Sequence, residues 1–238
     1  MHWRALPPQC TVLEGSFNQD RRGRWYINVP IDIPEADCAP NRRVGVDLGL
    51  KSLAALSDGT VVGLPPFYRV SERALATSQR ARKTSRARSI YAKIRNRRWD
   101  YLHKASAKIA KQFGLIVVGD ASPTKLSHTN MAKAVNDAGW YNFKRMLSYK
   151  AMRHGGKMIE VNEGMTTQTC SSCGALPEGR PKGIAGLGIR EWTCGGCGVT
   201  HDRDVNAARN ILARGLASLA EGAAQMRSSQ CVRYAIVA

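Results

Sequence analysis

The 238-residue chain is long enough for one large domain or two small ones, and its 43% apolar content is ordinary for a protein with a real core. Its charge is not ordinary: thirty-six Lys and Arg against eighteen Asp and Glu leave +18, which points to a polyanionic partner because each neutralised phosphate releases a counterion. No apolar stretch reaches the roughly 18 residues of a spanning helix, and the start, Met1 to Pro8, lacks the apolar block of a signal peptide. A soluble, intracellular (cytoplasmic) nucleic-acid-binding protein with no membrane partner is expected, associated with the nucleoid when it holds DNA.

Taken in chain order, residues 1–40 hold an alternating segment that predicts a hairpin: Thr11-Val12-Leu13, a turn near Asp20 to Arg24, then Trp25 to Val29. Pro30, Pro34 and Pro40 mark an extended linker. Residues 41–165 open with a buried strand, Arg43 to Gly49, followed by Leu53 to Ser57, an Asp58-Gly59 turn and Thr60 to Leu64, a three-strand meander. Residues 69 to 111 then change character. They hold fourteen Lys or Arg against two acids, Glu72 and Asp100, with no Pro or Gly. Apolar Ile90, Tyr91, Ile94, Trp99, Leu102, Ala105 and Ile109 recur at helical spacing. A long basic helix or a broken pair is expected. Like charges at this density repel unless an anion neutralises them. Arg80, Arg82, Lys83, Arg86, Arg88, Lys93, Arg95, Arg97, Arg98 and Lys104 are therefore the expected contacts to a nucleic-acid backbone.

Gly114 to Asp120 reads as a short central strand. Asp137 to Arg153 reads as a helix with Trp140, Phe143, Leu147 and Met152 on one side, and Lys157 to Glu163 as another strand. Residues 202–224 form a final helix with acids at its N-terminus, where they suit the helix dipole. The tail, 225–238, carries no usable signal.

Four of the seven cysteines fall into two C-x-x-C pairs, Cys170/Cys173 and Cys194/Cys197, separated by the twenty residues from Gly174 to Thr193. Two residues between cysteines let both thiolates face one point, and glycines supply the tight turns. This spacing predicts one structural Zn2+ in a closed four-thiolate shell, within a ribbon over residues 166–201. Cys10, Cys38 and Cys231 are isolated thiols.

The element order, a meander, basic helices, then strand, helix, strand and helix, is that of an RNase H-like nuclease. Such chemistry needs carboxylates from separate elements to hold two divalent cations; Mg2+ keeps several waters, so two or three acids suffice. Asp47 stands out because an unpaired carboxylate in an apolar strand costs several kcal/mol unless a partner or metal compensates it. Gly45 and Gly49 flank it and permit close backbone approach. Asp204 opens the last helix, although Asp202 could equally be the N-cap there, and spacing alone does not choose between them.

Gly45-Val46-Asp47-Leu48-Gly49, the two knuckles, and the run His201-Asp202-Arg203-Asp204-Val205-Asn206-Ala207-Ala208-Arg209-Asn210-Ile211 resemble TnpB, the insertion-sequence protein family related to type V CRISPR effectors. The resemblance covers roughly residues 10 to 213. It implies an α/β fold with a RuvC-type RNase H core, an inserted zinc ribbon and a remnant N-terminal β-hairpin region. It also implies an RNA-guided DNA endonuclease of a transposable element, with guide RNA and target DNA as partners and Mg2+ as the catalytic ion. Asp47 is then the first catalytic acid, Asp204 the last, and Asn206 the asparagine beside the site.

The middle acid departs from the family's common form, which has Glu-Asp after the central strand; here the residues are Gly119-Asp120. Glu163, at the end of the neighbouring strand, is one replacement and resembles TnpB-like lineages with a relocated glutamate. Asp120 is another, although a one-residue step turns a strand side chain to the opposite face. The third reading is an incomplete site in a cleavage-deficient nucleic-acid-binding protein, a transposon remnant or guided repressor. Only about 40 residues precede the core, so the chain is expected to be N-terminally shortened relative to the family. No tyrosine arrangement suggests strand joining; Tyr141 and Tyr149 read as packing residues.

Overall fold

The computed structural model describes residues 10–32, 40–121, 138–182 and 185–232. Pro34, Cys38, Asp137 and the side chain of Cys231 lie outside the described residues.

The buried runs of the sequence assemble into one five-stranded sheet. β5 (Arg43–Leu48), β6 (Ser52–Leu56) and β7 (Val61–Gly63) form the antiparallel meander. β8 (Leu115–Gly119) and β9 (Lys157–Val161) extend it in parallel on the other side of β5, giving the order β7-β6-β5-β8-β9. The three parallel strands β5, β8 and β9 therefore end at one edge, where open α/β sheets place their ligands.

Alternation along each strand sorts two faces. Val44, Val46 and Leu48, with Ile116 and Val118, pack under α2 (Thr84–Gln112) and α3 (Trp140–Arg153). Leu115 and Val117 pack under Ile211 of α4 (Arg203–Val232). On this second face Gly45 has no side chain because α4 lies too close: a Cβ there would fall onto the Ala208 carbonyl oxygen and within 2.8 Å of the Leu212 nitrogen. Gly215 meets Val117 from the helix side, where a Cβ would lie 2.5 Å from a Val117 methyl group. α4 continues to Val232, past the expected boundary at 224; the intervening residues 225–232 hold neither proline nor glycine to end it.

The basic stretch is a broken pair, α1 (Arg69–Arg80) and α2, with Arg82 at φ 52 between them. Ile94, Leu102 and Ile109 are its buried stripe, while Tyr91, expected on the apolar face, is 48% exposed. On α3 the buried stripe is Trp140, Phe143, Leu147 and Ala151, four residues beyond Leu147; Met152 lies about 100° further round and is exposed. Tyr141 and Tyr149 are likewise exposed and are not packing residues. Both sit beside, and not on, the 140–143–147–151 stripe.

The N-terminal strands also depart from the expected register. β2 (Ser16–Gln19) pairs with β3 (Trp25–Asn28), and β1 (Thr11–Val12) pairs instead with β4 (Ile31–Asp32). The turn decides this. Asp20 accepts at Oδ1 from the Arg22 and Arg24 backbone N–H groups at 2.8 and 3.1 Å, closing residues 20–24 so that Trp25 faces Gln19. Among the described residues, no helix is long and apolar enough to cross a membrane.

Candidate metal-binding and nucleic-acid sites

Two sets of side chains of metal-donor type lie around the start of α4. The first is the cysteine cluster. Each knuckle closes with the same pair of bonds: Cys170 N–H to Ala175 O and Gly174 N–H to Cys170 O, then Cys194 N–H to Val199 O and Gly198 N–H to Cys194 O. Gly174 and Gly198 stand at φ +75 and +74, the left-handed region that a knuckle's last turn requires. The second knuckle is the turn of a hairpin between β10 (Glu191–Thr193) and β11 (Thr200–Asp202). All four sulfur atoms lie within 4.8 Å of one another. Cys170–Cys197 and Cys173–Cys194 are each 3.7 Å apart. A tetrahedron with zinc–sulfur bonds of about 2.3 Å has edges of roughly 3.8 Å, so spacing and donor type both fit that ion. His201, buried against Trp192 with ring centroids 5.1 Å apart, places Nε2 3.1 Å from Cys170 Sγ.

The second set is carboxylic. Asp47 shares the α4 face of β5 with Gly45 and stands where the parallel strands end. Burial, then the negative charges of Asp204 and Glu163, push its carboxyl well above the usual range. The fold thus brings Asp47, Glu163 and Asp204 into one electrostatic neighbourhood. They are more widely spread than the thiols: among the described residues, the four cysteines are the only group of three or more metal-donor side chains that closes tightly.

Asp202 and Asp204, indistinguishable by spacing, do different things. Asp202 Oδ1 accepts from the Asp204 and Val205 N–H groups at 3.0 and 2.9 Å, which makes it the N-cap of α4. Asp204 is half-buried, close enough for its charge to act on Asp47, and its Oδ2 takes a 2.7 Å ion pair from Arg190.

Gly119 and Glu163 fit together. A Cβ on Gly119 would lie 2.6 Å from Glu163 Oε2 and 3.2 Å from Glu163 Cβ. The glutamate therefore occupies the space that a side chain on β8 would fill. Burial, followed by the Asp120 charge, raises the Glu163 carboxyl, with Lys144 and the Ala121 N–H opposing. Asp120 itself is exposed, and it accepts at Oδ1 from the Glu163 backbone N–H at 3.0 Å.

Asn206 is fully buried and faces the ribbon. Its amide donates to the Thr166 and Thr169 carbonyls at 3.2 and 2.8 Å, and its Oδ1 accepts from the Ser171 N–H at 2.9 Å. Asn210, one turn on, donates to the same two carbonyls at 2.8 and 2.7 Å. These bonds staple the first knuckle onto α4. Sequence reading missed Asn210, Arg190, His201 and the clearance at Gly119. The i,i+4 spacing of the two asparagines was the available signal for the first; the others depend on contacts between distant segments.

Of the ten basic residues singled out, nine are exposed and Arg98 is half-buried. Arg88, Tyr91 and Arg95 line one wall of a cleft of about 640 Å³ whose other wall carries Arg21, Arg22 and Tyr26 of the N-terminal hairpin. Lys104 is paired with Asp100 at 2.7 Å.

Residues 26–127 match the family model described as a probable transposase (OrfB of the IS605 type), and residues 140–211 match the Cas12f1-like TNB domain. A Streptomyces pristinaespiralis protein named as a candidate RNA-guided DNA endonuclease is 33% identical over 234 residues, covering 92% of this chain and 57% of its own length. An Escherichia coli K12 protein with the same kind of name is 32% identical over 236 residues, covering 84% and 56%. The chain thus spans somewhat more than half the length of these curated relatives. Among solved structures, a CRISPR-Cas12f ternary complex matches with TM-score 0.56 at 16% identity, over 83% of this chain and 44% of that one. A Cas12f1–sgRNA–target DNA complex matches with TM-score 0.54 at 18% identity, over 81% and 54%. At such identities the likeness is one of fold: an α/β fold similar to the Cas12f effectors, here with a four-cysteine cluster. With family models matching residues 26–127 and 140–211, and relatives at 32–33% identity covering 84–92% of it, the chain belongs to the TnpB-like (OrfB) family.

Proposed function

We propose that this chain is the nuclease core of an RNA-guided, divalent-metal-dependent DNA endonuclease of a transposable element, with a RuvC-type RNase H-like fold. The observation that carries the reading is the convergence on Asp47 of the Glu163 and Asp204 charges at the carboxyl ends of the parallel strands. Two raised carboxyls, Asp47 and Glu163, with the Asp204 charge beside Asp47, are poised for a compensating cation. Asp47, Glu163 and Asp204 would hold two Mg2+ ions, which supply charge neutralisation at the attacking and leaving oxygens of a phosphodiester. The chain's own residues do the rest. Asp202 fixes the helix start that aims Asp204, and Arg190 places a guanidinium at the same edge, where it can meet a phosphate as readily as a carboxylate.

The cysteines hold one structural zinc in this reading, because four thiolates leave no open coordination position. Asn206 acts through the ribbon it anchors. The exposed arginines of α1 and α2 contact guide RNA or target DNA through the phosphate backbone, a sequence-independent role that leaves recognition to base pairing.

The test is cleavage of plasmid DNA by the protein with its co-purifying RNA and Mg2+ or Mn2+. Activity abolished in both Asp47→Ala and Glu163→Ala supports the proposal. Nucleic-acid binding without cleavage under every divalent condition would instead make the chain a cleavage-deficient binding protein.

A further inference from the structure

The end of β8 carries an acid that the proposed chemistry does not use. We infer that Asp120 is a positioning residue: it seats the Glu163 backbone so that the Glu163 carboxylate enters the space left open by Gly119. This rests on the reading of Glu163 as a metal-binding acid.

The seat is built from both sides of one peptide. The Asp120 N–H donates to Val161 O at 2.9 Å, which carries the β8–β9 ladder one rung past Gly119. Its carboxylate then reaches across, with Oδ1 accepting from the Glu163 N–H at 3.0 Å and Oδ2 from Asn162 Nδ2 at 3.4 Å. Asn162 in turn accepts at Oδ1 from the Gly164 N–H at 2.8 Å. Beyond Glu163, the Thr166 N–H and Oγ1 donate to the Glu163 carbonyl at 3.2 and 2.7 Å, and Thr166 is buried. Both backbone polar groups of Glu163 are thereby fixed.

The turn so held includes Met165 at φ 65, a conformation that a non-glycine residue keeps only when its surroundings impose it. Strand alternation places Asp120 on the face opposite Gly119, so its carboxylate addresses the loop and not the Asp47 side. Two donors converge on it, and a carboxylate accepts both without offering a competing proton. A direct metal ligand would need its oxygens turned the other way.

The experiment compares Asp120→Asn, Asp120→Ala and Glu163→Gln with the unaltered 238-residue protein in three measurements. These are Mn2+ affinity by electron paramagnetic resonance, amide hydrogen exchange over residues 161–166, and thermal melting. Asp120→Asn keeps an acceptor at Oδ1, whereas Asp120→Ala removes it. Loss of a side chain that orients a metal ligand characteristically weakens metal binding about 10- to 100-fold. That loss is expected for Asp120→Ala, together with faster exchange at the Glu163 amide. Asp120→Asn, which keeps the acceptor for the Glu163 N–H but turns an N–H toward Asn162 Nδ2, should lose clearly less affinity than Asp120→Ala. If Asp120→Asn loses as much Mn2+ affinity as Asp120→Ala, the carboxylate charge itself matters and the positioning role is overturned. An unchanged Glu163 amide in Asp120→Ala would also overturn it. Glu163→Gln tests the underlying reading separately: Mn2+ affinity equal to the unaltered protein would remove Glu163 from the site, whatever the exchange data show.

Discussion

Gly119→Ala separates stability from site geometry more cleanly than any other single change. The added Cβ would stand 2.6 Å from Glu163 Oε2, against about 3.4 Å for ordinary contact, so the carboxylate must retreat by roughly 0.8 Å. The closest displaced atom is the far end of a flexible side chain, while Glu163 Cβ and Ile211 Cδ1, both at 3.2 Å, need give only slightly, so the fold is expected to lose about 1 kcal/mol. The site should lose far more. A misplacement near 1 Å costs on the order of 100-fold in rate, and Mn2+ affinity should fall with it. Gly45→Ala is the control of opposite kind. Its Cβ would meet Ala208 and Leu212 backbone atoms of α4, which cannot step aside singly, and a loss of about 3 kcal/mol or more is expected. The assay is paired: thermal melting of the metal-free protein, and Mn2+ titration of each variant. Gly119→Ala that binds Mn2+ normally, or that melts as early as Gly45→Ala, refutes the reasoning.

Three further outcomes are expected. Chelating zinc should unfold residues 166–201 and disturb Glu163 and Asp204 together, because Asn206, Asn210 and Arg190 tie that segment to α4 and its first acid; exchange protection of residues 203–212 that survives chelation would count against this. The raised Asp47 and Glu163 carboxyls mean that the metal-free folded state holds protons more tightly than the unfolded chain. Its stability should therefore fall as pH rises above the ordinary carboxylate range, and Asp47→Asn should flatten that slope, as melts from pH 4 upward would show. Replacing Arg88 and Arg95 by alanine should weaken nucleic-acid binding across all sequences and lower the slope of log K against log salt by about one per lost phosphate contact. An unchanged slope would place the backbone contacts elsewhere.

Much of this was readable in the residues themselves. The strands of the sheet were visible because buried parallel strands are continuous apolar runs, here bounded by glycine and by the Asp58-Gly59 turn. Asp47 was visible because a charge inside such a run has to be explained, and the cysteines because their spacing leaves few alternatives. The rest depended on proximity across the sheet. Gly119 and Glu163 are 44 residues apart and meet only because β8 and β9 pair with Gly119 opposite Val161. Asp202 and Asp204 could not be separated until the direction of the cap bonds was known. Met152 and Tyr91 were misplaced because helical spacing narrows a face to about 100° and their neighbours already filled it.

The cysteine cluster makes the carboxylate site answerable to oxidants, although no acid in it has redox chemistry. Cys173 and Cys197 are exposed, and each stands 3.7 Å from a buried partner, Cys194 and Cys170. A disulfide in either pair would draw its sulfur atoms to about 2.05 Å and take away two of the four thiolates that a zinc ion needs. Loss of the ion would loosen the first knuckle, whose Thr166 and Thr169 carbonyls are bound to Asn206 and Asn210 of α4. Two solvent-facing sulfur atoms thus give an oxidising environment a route to Asp204 at the other end of the ribbon.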